Sequence, residues 1–250
     1  MIEVIDVSLT YYQENATTPA LKAINLHIGR GESWVFIGPS GCGKSSLLFL
    51  LAGLRQPSAG EVLIAGSAIK VPRPQTALIL QDYGLFPWKT VADNTALGLK
   101  LRGKSTREQL RVITPILENL GLAEHRHHYP AQLSGGLRQR VAIARVLALQ
   151  PDLLLMDEPF SSLDALTREN LQETVIDIRH QNKMTLVAVT HSIEEAVFLG
   201  EKIVVFSPRP GQVEAIVDNP LAGEKCFRDQ PDFYQKCAQV RHLLEEVSRC

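Results

Sequence analysis

The stretch "GPSGCGKSS", positions 38–46, constrains this 250-residue chain more than any other. It follows the apolar run "SWVFIG" and precedes "KSSLLFLLAGL", so it reads as buried strand, glycine loop and helix. Gly38, Gly43, Lys44 and Ser45 fall in register with GxxxxGK[ST]. Glycines let backbone N–H groups converge on a phosphate, and the helix start adds partial positive charge. Lys44 is then expected to reach the β- and γ-phosphates of a nucleotide, and Ser45 to ligate Mg²⁺. Pro39, Ser40, Gly41, Cys42 and Ser46 complete the loop expected against the nucleotide, with Cys42 a small space-filler.

The surrounding pattern predicts an α/β fold. "IEVIDVSLTYY" and "LKAINLHI" alternate as strands, while "GEVLIAG" and "TALILQ" read as short strands after the first helix. From about 84 to 150 apolar residues recur three or four apart in "TVADNTALGLKLRG", "STREQLRVITPILENLG" and "GGLRQRVAIARVLALQ", which predicts a helical insertion. Strands and helices then alternate again: "DLLLMDE", a helix from Asp164 to about His180, "TLVAVTH", the short helix "SIEEAVFL", "KIVVFS" and "GQVEAIV". The tail, 221–250, ends in an amphipathic helix whose Phe233, Cys237, Val240, Leu244 and Val247 are expected to pack on the parent lobe.

Composition narrows the function classes. A formal net charge of -1 gives no basic footprint for nucleic acid. The longest purely apolar run, "LLFLLA", is far short of the roughly 20 residues that span a bilayer. "MIEVIDVSLTYY" lacks the basic start and apolar centre of a secretion signal, so a cytoplasmic protein is expected. Cys42, Cys226, Cys237 and Cys250 show no CxxC pairing and read as reduced thiols.

Two carboxylates end the apolar strand "LLLMDEP" (153–159). At a strand's C-terminal edge Asp157 can hold Mg²⁺ through water, and Glu158 can orient or deprotonate an attacking water. Gln81 and His191 also follow apolar strands, where an amide and an imidazole can polarise water or contact a γ-phosphate without anionic repulsion. "LSGGLRQR" (133–140) is a second helix start suited to an anion, but it lacks a lysine.

With "GPSGCGKSS", Gln81, "LSGGLRQR", "LLLMDEP", "SSLD" (161–164) and His191 in this order, the sequence resembles the ATP-binding cassette (ABC) proteins over about residues 1–220. The resemblance implies a RecA-like P-loop ATPase core, an antiparallel β subdomain and the inserted helical subdomain, with 221–250 as a short extension. It implies ATP and Mg²⁺ as cofactors. Lys44, Gln81, Glu158 and His191 match its hydrolytic residues, and Ser45, Gln81 and Asp157 its magnesium residues. Asp164 matches the D-loop aspartate. Tyr11, with Tyr12 the alternative, fits the aromatic that stacks on adenine, although "QENATTPA" lengthens the following turn. Ser134, Gly135 and Gly136 match the signature, in which Leu137 replaces the usual glutamine.

In the family two cassettes pair head to tail, each signature facing the γ-phosphate on the other's P-loop. That explains a second phosphate site without a lysine and implies pairing with a second copy or a related chain. "QDYGLFPWKTVADNTALGLKLRG" is similar to importer ATPases of the nitrate, sulfonate and taurine group, with a thiamine pyrimidine precursor the next solute considered. The resemblance implies transmembrane permease subunits, a solute-binding protein and a place on the cytoplasmic side of the membrane. Phe86, Pro87 and Trp88 would lie near the groove for a permease helix, unless the two aromatics fill the helical core. The short tail leaves no room for the regulatory domain of some sugar importers. A DNA- or ribosome-acting relative would need a coiled coil or a second cassette, and a small-molecule kinase would leave "LSGGLRQR" and "SSLD" unexplained.

Overall fold

The computed structural model describes residues 1–13, 16–161 and 163–249. Glu14 and Asn15, Ser162 of "SSLD" and Cys250 lie outside the described residues. "QENATTPA" does not lengthen the first turn as expected: Tyr12 pairs with Thr17 and Gln13 with Ala16, so most of it extends the two strands.

The chain begins with β1 (Ile2–Gln13), β2 (Ala16–Ile28) and β3 (Ser33–Ile37), then α1 (Lys44–Leu51), β4 (Ala59–Ile64), β5 (Ser67–Ala68) and β6 (Thr76–Ile79). Three helices follow, α2 (Val91–Leu101), α3 (Thr106–Asn119) and α4 (Gly135–Leu147), before β7 (Leu153–Asp157). The remainder is α5 (Ala165–Asn182), β8 (Thr185–Val189), α6 (Ile193–Leu199), β9 (Lys202–Phe206), β10 (Val213–Asp218) and α7 (Pro231–Arg249).

Six strands form one sheet in the order β10-β9-β3-β8-β7-β6, parallel except for the antiparallel edge β10. Every residue of β3, β7 and β8 is buried, as a parallel sheet covered on both faces requires. The period of two divides their side chains. Val35, Leu154, Met156, Leu186 and Ala188 enter the core shared with the inserted helices and α5 to α7. Trp34, Phe36, Leu153, Leu155, Val187 and Val189 enter the opposite core, with α1 and the second sheet.

That second sheet, β2-β1-β4-β5, is antiparallel. Its long first pair is interrupted by register shifts, and Asp6 and Ala23 take left-handed φ values of 48° and 50°. Side chains satisfy the displaced amides: Asn25 Oδ1 accepts from Asp6 N, and Ser8 Oγ from Ala23 N, both at 2.9 Å. Polar residues that look like breaks in alternation therefore hold the bulges.

The helices between β6 and β7 pack on one another and on the sheet's first core. Hydroxyl or carboxylate N-caps begin five helices, at Thr90, Ser105, Ser134, Asp164 and Ser192. In α7, Phe233, Cys237 and Val240 are buried, while Leu244 and Val247 pack partly against the same core, so this helix's apolar stripe is spent inside the chain. No helix of the described residues is long and apolar enough to cross a membrane.

Candidate functional site

Four adjacent parallel strands, β3, β8, β7 and β6, end at the same sheet edge. Beyond β3 comes the glycine loop. Gly43 caps α1 with φ 110°, and a Cβ there would stand 2.6 Å from Ala20 O, so both conformation and space demand glycine. Lys44 is 6% exposed, and its Nζ donates to Gly38 O at 2.8 Å and Pro39 O at 2.9 Å. The loop thus folds back around its own ammonium, while Ser40 and Gly41 are exposed at its tip. Cys42 is buried, with Sγ 3.6 Å from Lys44 Nζ.

Ser45 Oγ donates to Asp157 Oδ1 at 2.9 Å, joining the first turn of α1 to the end of β7. Burial pushes the Asp157 carboxyl above its ordinary value. The Ser45 hydrogen bond opposes that shift, Glu158 adds repulsion, and Lys44 offsets part of it. A hydroxyl beside a partly desolvated carboxylate is a hard-oxygen pair, the donor chemistry that suits Mg²⁺ shared with phosphates. Among the described residues no cluster of three or more His, Cys, Asp or Glu forms an all-protein metal cage.

Glu158 leaves β7 in the left-handed region, φ 46°, a conformation uncommon for non-glycine residues and often found at working sites. Its N–H still donates to Val189 O at 2.9 Å, and Ser161 Oγ donates to its carbonyl at 3.0 Å. His191 Nδ1 lies 3.1 Å from Glu158 Oε2. The paired registers Ile79 with Met156 and Asp157 with Val189 carry Gln81, Glu158 and His191 to one rim. Gln81 is exposed there.

Tyr11 sits on β1, where its hydroxyl is 2.8 Å from Ser46 Oγ and the Arg55 guanidinium covers its ring at 4.6 Å. The hydroxyl contact ties the antiparallel sheet to α1, the helix that follows the glycine loop. Tyr12 is 74% exposed and has no such tie.

Ser134 is exposed as the N-cap of α4, and its Oγ accepts from Leu137 N at 3.3 Å. Gly135 and Gly136 let α4 lie close against the stretch around α5: added Cβ atoms would stand 3.3 Å from Leu163 Cδ2 and 2.6 Å from Thr167 Cγ2. Leu137 packs partly against the helical core, which accommodates an apolar side chain at that position. Asp164 is itself an N-cap, accepting from Thr167 N at 3.0 Å, and that bond lowers its carboxyl's pKa.

Trp88 is 70% exposed and Phe86 37%, in edge-to-face contact at 5.4 Å, so Trp88 does not fill the helical core. Two participants escape the motif reading altogether. Arg168 donates to Phe160 O at 3.3 Å and Leu163 O at 2.7 Å, holding these two carbonyls between Glu158 and Asp164. Glu195 is buried one helical turn after His191. The one sequence signal for it was Ser192, an N-cap that fixes Glu195 as the third residue of α6.

A family model described as ABC transporter matches residues 21–161, more than half of the chain. The chain belongs to the ABC transporter family. The nitrate import ATP-binding protein NrtD of Synechocystis sp. is 38% identical over 251 residues, covering 97% of this chain and 94% of the relative. The aliphatic sulfonates import ATP-binding protein SsuB of Bacillus anthracis is 40% identical over 221 residues, covering 88% and 87%. A dimeric ATP-binding cassette solved in a post-hydrolysis state with ADP and Pi superposes with a TM-score of 0.78 at 32% identity, covering 87% of this chain and 98% of that one. This ABC chain is an ATP-binding subunit with ATPase activity and the cassette fold.

Proposed function

We propose that this ABC ATPase drives a membrane importer for a small oxyanion solute, nitrate, a sulfonate or taurine. The nitrate and sulfonate relatives, alike over nearly their whole lengths, support that solute class. The cassette would span residues 1–220, with its helical subdomain at about 84–150 and an extension at 221–250. It would pair with a second copy or a related cassette, and engage transmembrane permease subunits on the cytoplasmic side through the surface around Phe86, Pro87 and Trp88. A solute-binding protein would complete the importer.

One observation carries the site assignment: Lys44, the Ser45–Asp157 pair and the Glu158–His191 pair converge on one edge of four parallel strands. Residues 38 to 46 would cradle the ATP phosphates, with Lys44 exchanging its two loop carbonyls for phosphate oxygens. Ser45, Asp157 and Gln81 would hold Mg²⁺, whose chemistry there is neutralisation of phosphate charge. Glu158 would accept a proton from, or orient, the attacking water, and His191 would hold the Glu158 carboxylate and contact the γ-phosphate. Tyr11 would stack on adenine. Ser134, Gly135, Gly136 and Asp164 would face the nucleotide of the opposite subunit.

Glu158→Gln tests this reading, because the amide keeps the shape and loses the basicity. ATP should still bind, while turnover falls about 10²- to 10⁴-fold, the usual worth of a positioned base. Steady-state turnover within threefold of wild type would remove Glu158 from that role.

A further inference from the structure

Glu195 is a buried acid that none of the motif assignments uses. It is 5% exposed, and its Oε1 has no hydrogen-bond partner. The Thr190 hydroxyl bonds its carboxyl, and the same Thr190 oxygen accepts from Ser192 N at 3.1 Å. Ser192 caps α6, with its Oγ accepting from Glu195 N at 3.3 Å. The carboxyl is therefore built into the turn that carries His191.

It also faces the other half of the hydrolytic edge. Arg168 attracts it and Glu158 repels it. Arg168 in turn grips the carbonyls of Phe160, two residues after Glu158, and Leu163, next to Asp164. One buried carboxylate thus lies between both arms of the site, bonded to Thr190 on the His191 turn and sharing a cavity lining with Arg168, whose charge attracts it.

We propose that Glu195 is a positioning residue for ATP hydrolysis, whose ionised carboxylate holds the His191 turn through Thr190 and, through Arg168, the Phe160 and Leu163 carbonyls in register with it. This rests on the reading that Glu158 and His191 serve the attacking water. Burial makes the hold conditional. Desolvation raises the Glu195 pKa from 4.5 to about 7, against the pull of Thr190 and Arg168 and with added repulsion from Glu158. The other charged groups around it are Glu169 on α5, Glu194 on its own helix and Arg228 on the C-terminal segment, which line a cavity of about 190 Å³ beside it. That space admits water, giving the carboxyl a way to exchange its proton. Below about pH 7 the acid is neutral and the hold slackens; above it the carboxylate forms and the two arms are drawn together.

The test is turnover by the full chain at saturating MgATP between pH 6 and 9, with Glu195→Gln, Thr190→Val and Glu158→Gln beside wild type. At pH 6 wild type and Glu195→Gln should agree within about twofold, since both are neutral there. At pH 8.5 wild type should lead by about tenfold, while the Gln variant melts no lower than wild type because it buries no charge. Thr190→Val removes a donor to the carboxylate, so the midpoint of the pH-dependent rise should move upward by about half a unit or more. A wild-type to Gln ratio that does not change with pH, whatever its size, would overturn the proposal, as would an unmoved midpoint in Thr190→Val. If Glu195→Gln does not fold, Thr190→Val decides alone. Glu158→Gln separates the two readings. Near-wild-type turnover there brings down the hydrolytic assignment and this inference with it, whereas an inactive Glu158→Gln beside a flat Glu195 ratio brings down this inference alone.

Discussion

Lys44 has a structural task of its own beside the phosphate-binding role proposed for it. Its buried ammonium satisfies two loop carbonyls, Gly38 and Pro39, that have no partner in a helix or strand. Lys44→Ala removes that charge, taking the side-chain donor from Gly38 O and leaving Pro39 O its longer bond from Cys42 N at 3.3 Å. A charged hydrogen bond is worth about 1.5–3 kcal/mol, so ATP affinity should fall roughly 10- to 150-fold. The measurement is the rise in melting temperature produced by MgATP, which linkage ties to affinity. A full wild-type rise in the variant would contradict the assignment. The lysine was legible because glycine, lysine and hydroxyl occur together at fixed offsets after a strand. Glu195 was not legible as a buried group. "SIEEAVFL" offers two adjacent acids in a helix's first turn, where acids are favoured simply by the helix dipole. Only the fold, by laying α6 over Thr190 and Arg168, separates the buried Glu195 from the exposed Glu194.

At the scale of elements, the parallel strands were readable because each contains a short apolar run that stops at a glycine or a polar residue. Their order in the sheet was not, since β3 pairs with β8 and β9 from more than 140 residues away. The β1–β2 pair was readable as two strands, but its bulges depend on the Asn25 and Ser8 side chains meeting amides across the pair. The turn between β6 and α2 gives a testable case. Arg145 on α4 donates to Tyr83 O and Gly84 O at 2.7 and 2.6 Å, and Asn94 on α2 bonds Phe86 through both its N–H and its carbonyl. The backbone beneath Phe86 and Trp88 is thus held firmly while the Trp88 ring faces solvent, an arrangement suited to an interface anchor. Trp88→Ala should change fold stability by no more than about 0.5 kcal/mol, as for other surface truncations. Copurification with permease subunits should fall by about tenfold or more, and unchanged copurification would assign the permease surface elsewhere.

At the scale of the molecule, the exposed Ser134 and the buried Lys44 begin different helices, α4 on the inserted subdomain and α1 under the antiparallel sheet. The dimeric cassettes to which this chain is similar make it reasonable to ask which nucleotide each helix serves. If Ser134 serves the opposite subunit's ATP, two inactive variants should complement each other. Lys44→Ala spoils the phosphate loop, and Ser134→Arg puts a long cation on the signature helix start. In a mixed dimer one composite site then combines both defects, while the other joins an intact loop to an intact signature. Were the signature to act on its own chain's nucleotide, every site would carry one defect and mixing would restore nothing. The measurement is vanadate-trapped nucleotide in the mixture against the mean of the two variants alone, with differently tagged chains confirming that mixed dimers form. Trapping needs only one competent site, so the result does not depend on whether continuous turnover needs two. Mixed dimers that trap no more than the mean would place Ser134 in its own subunit's site, and the lysine-free helix start would then need a different explanation.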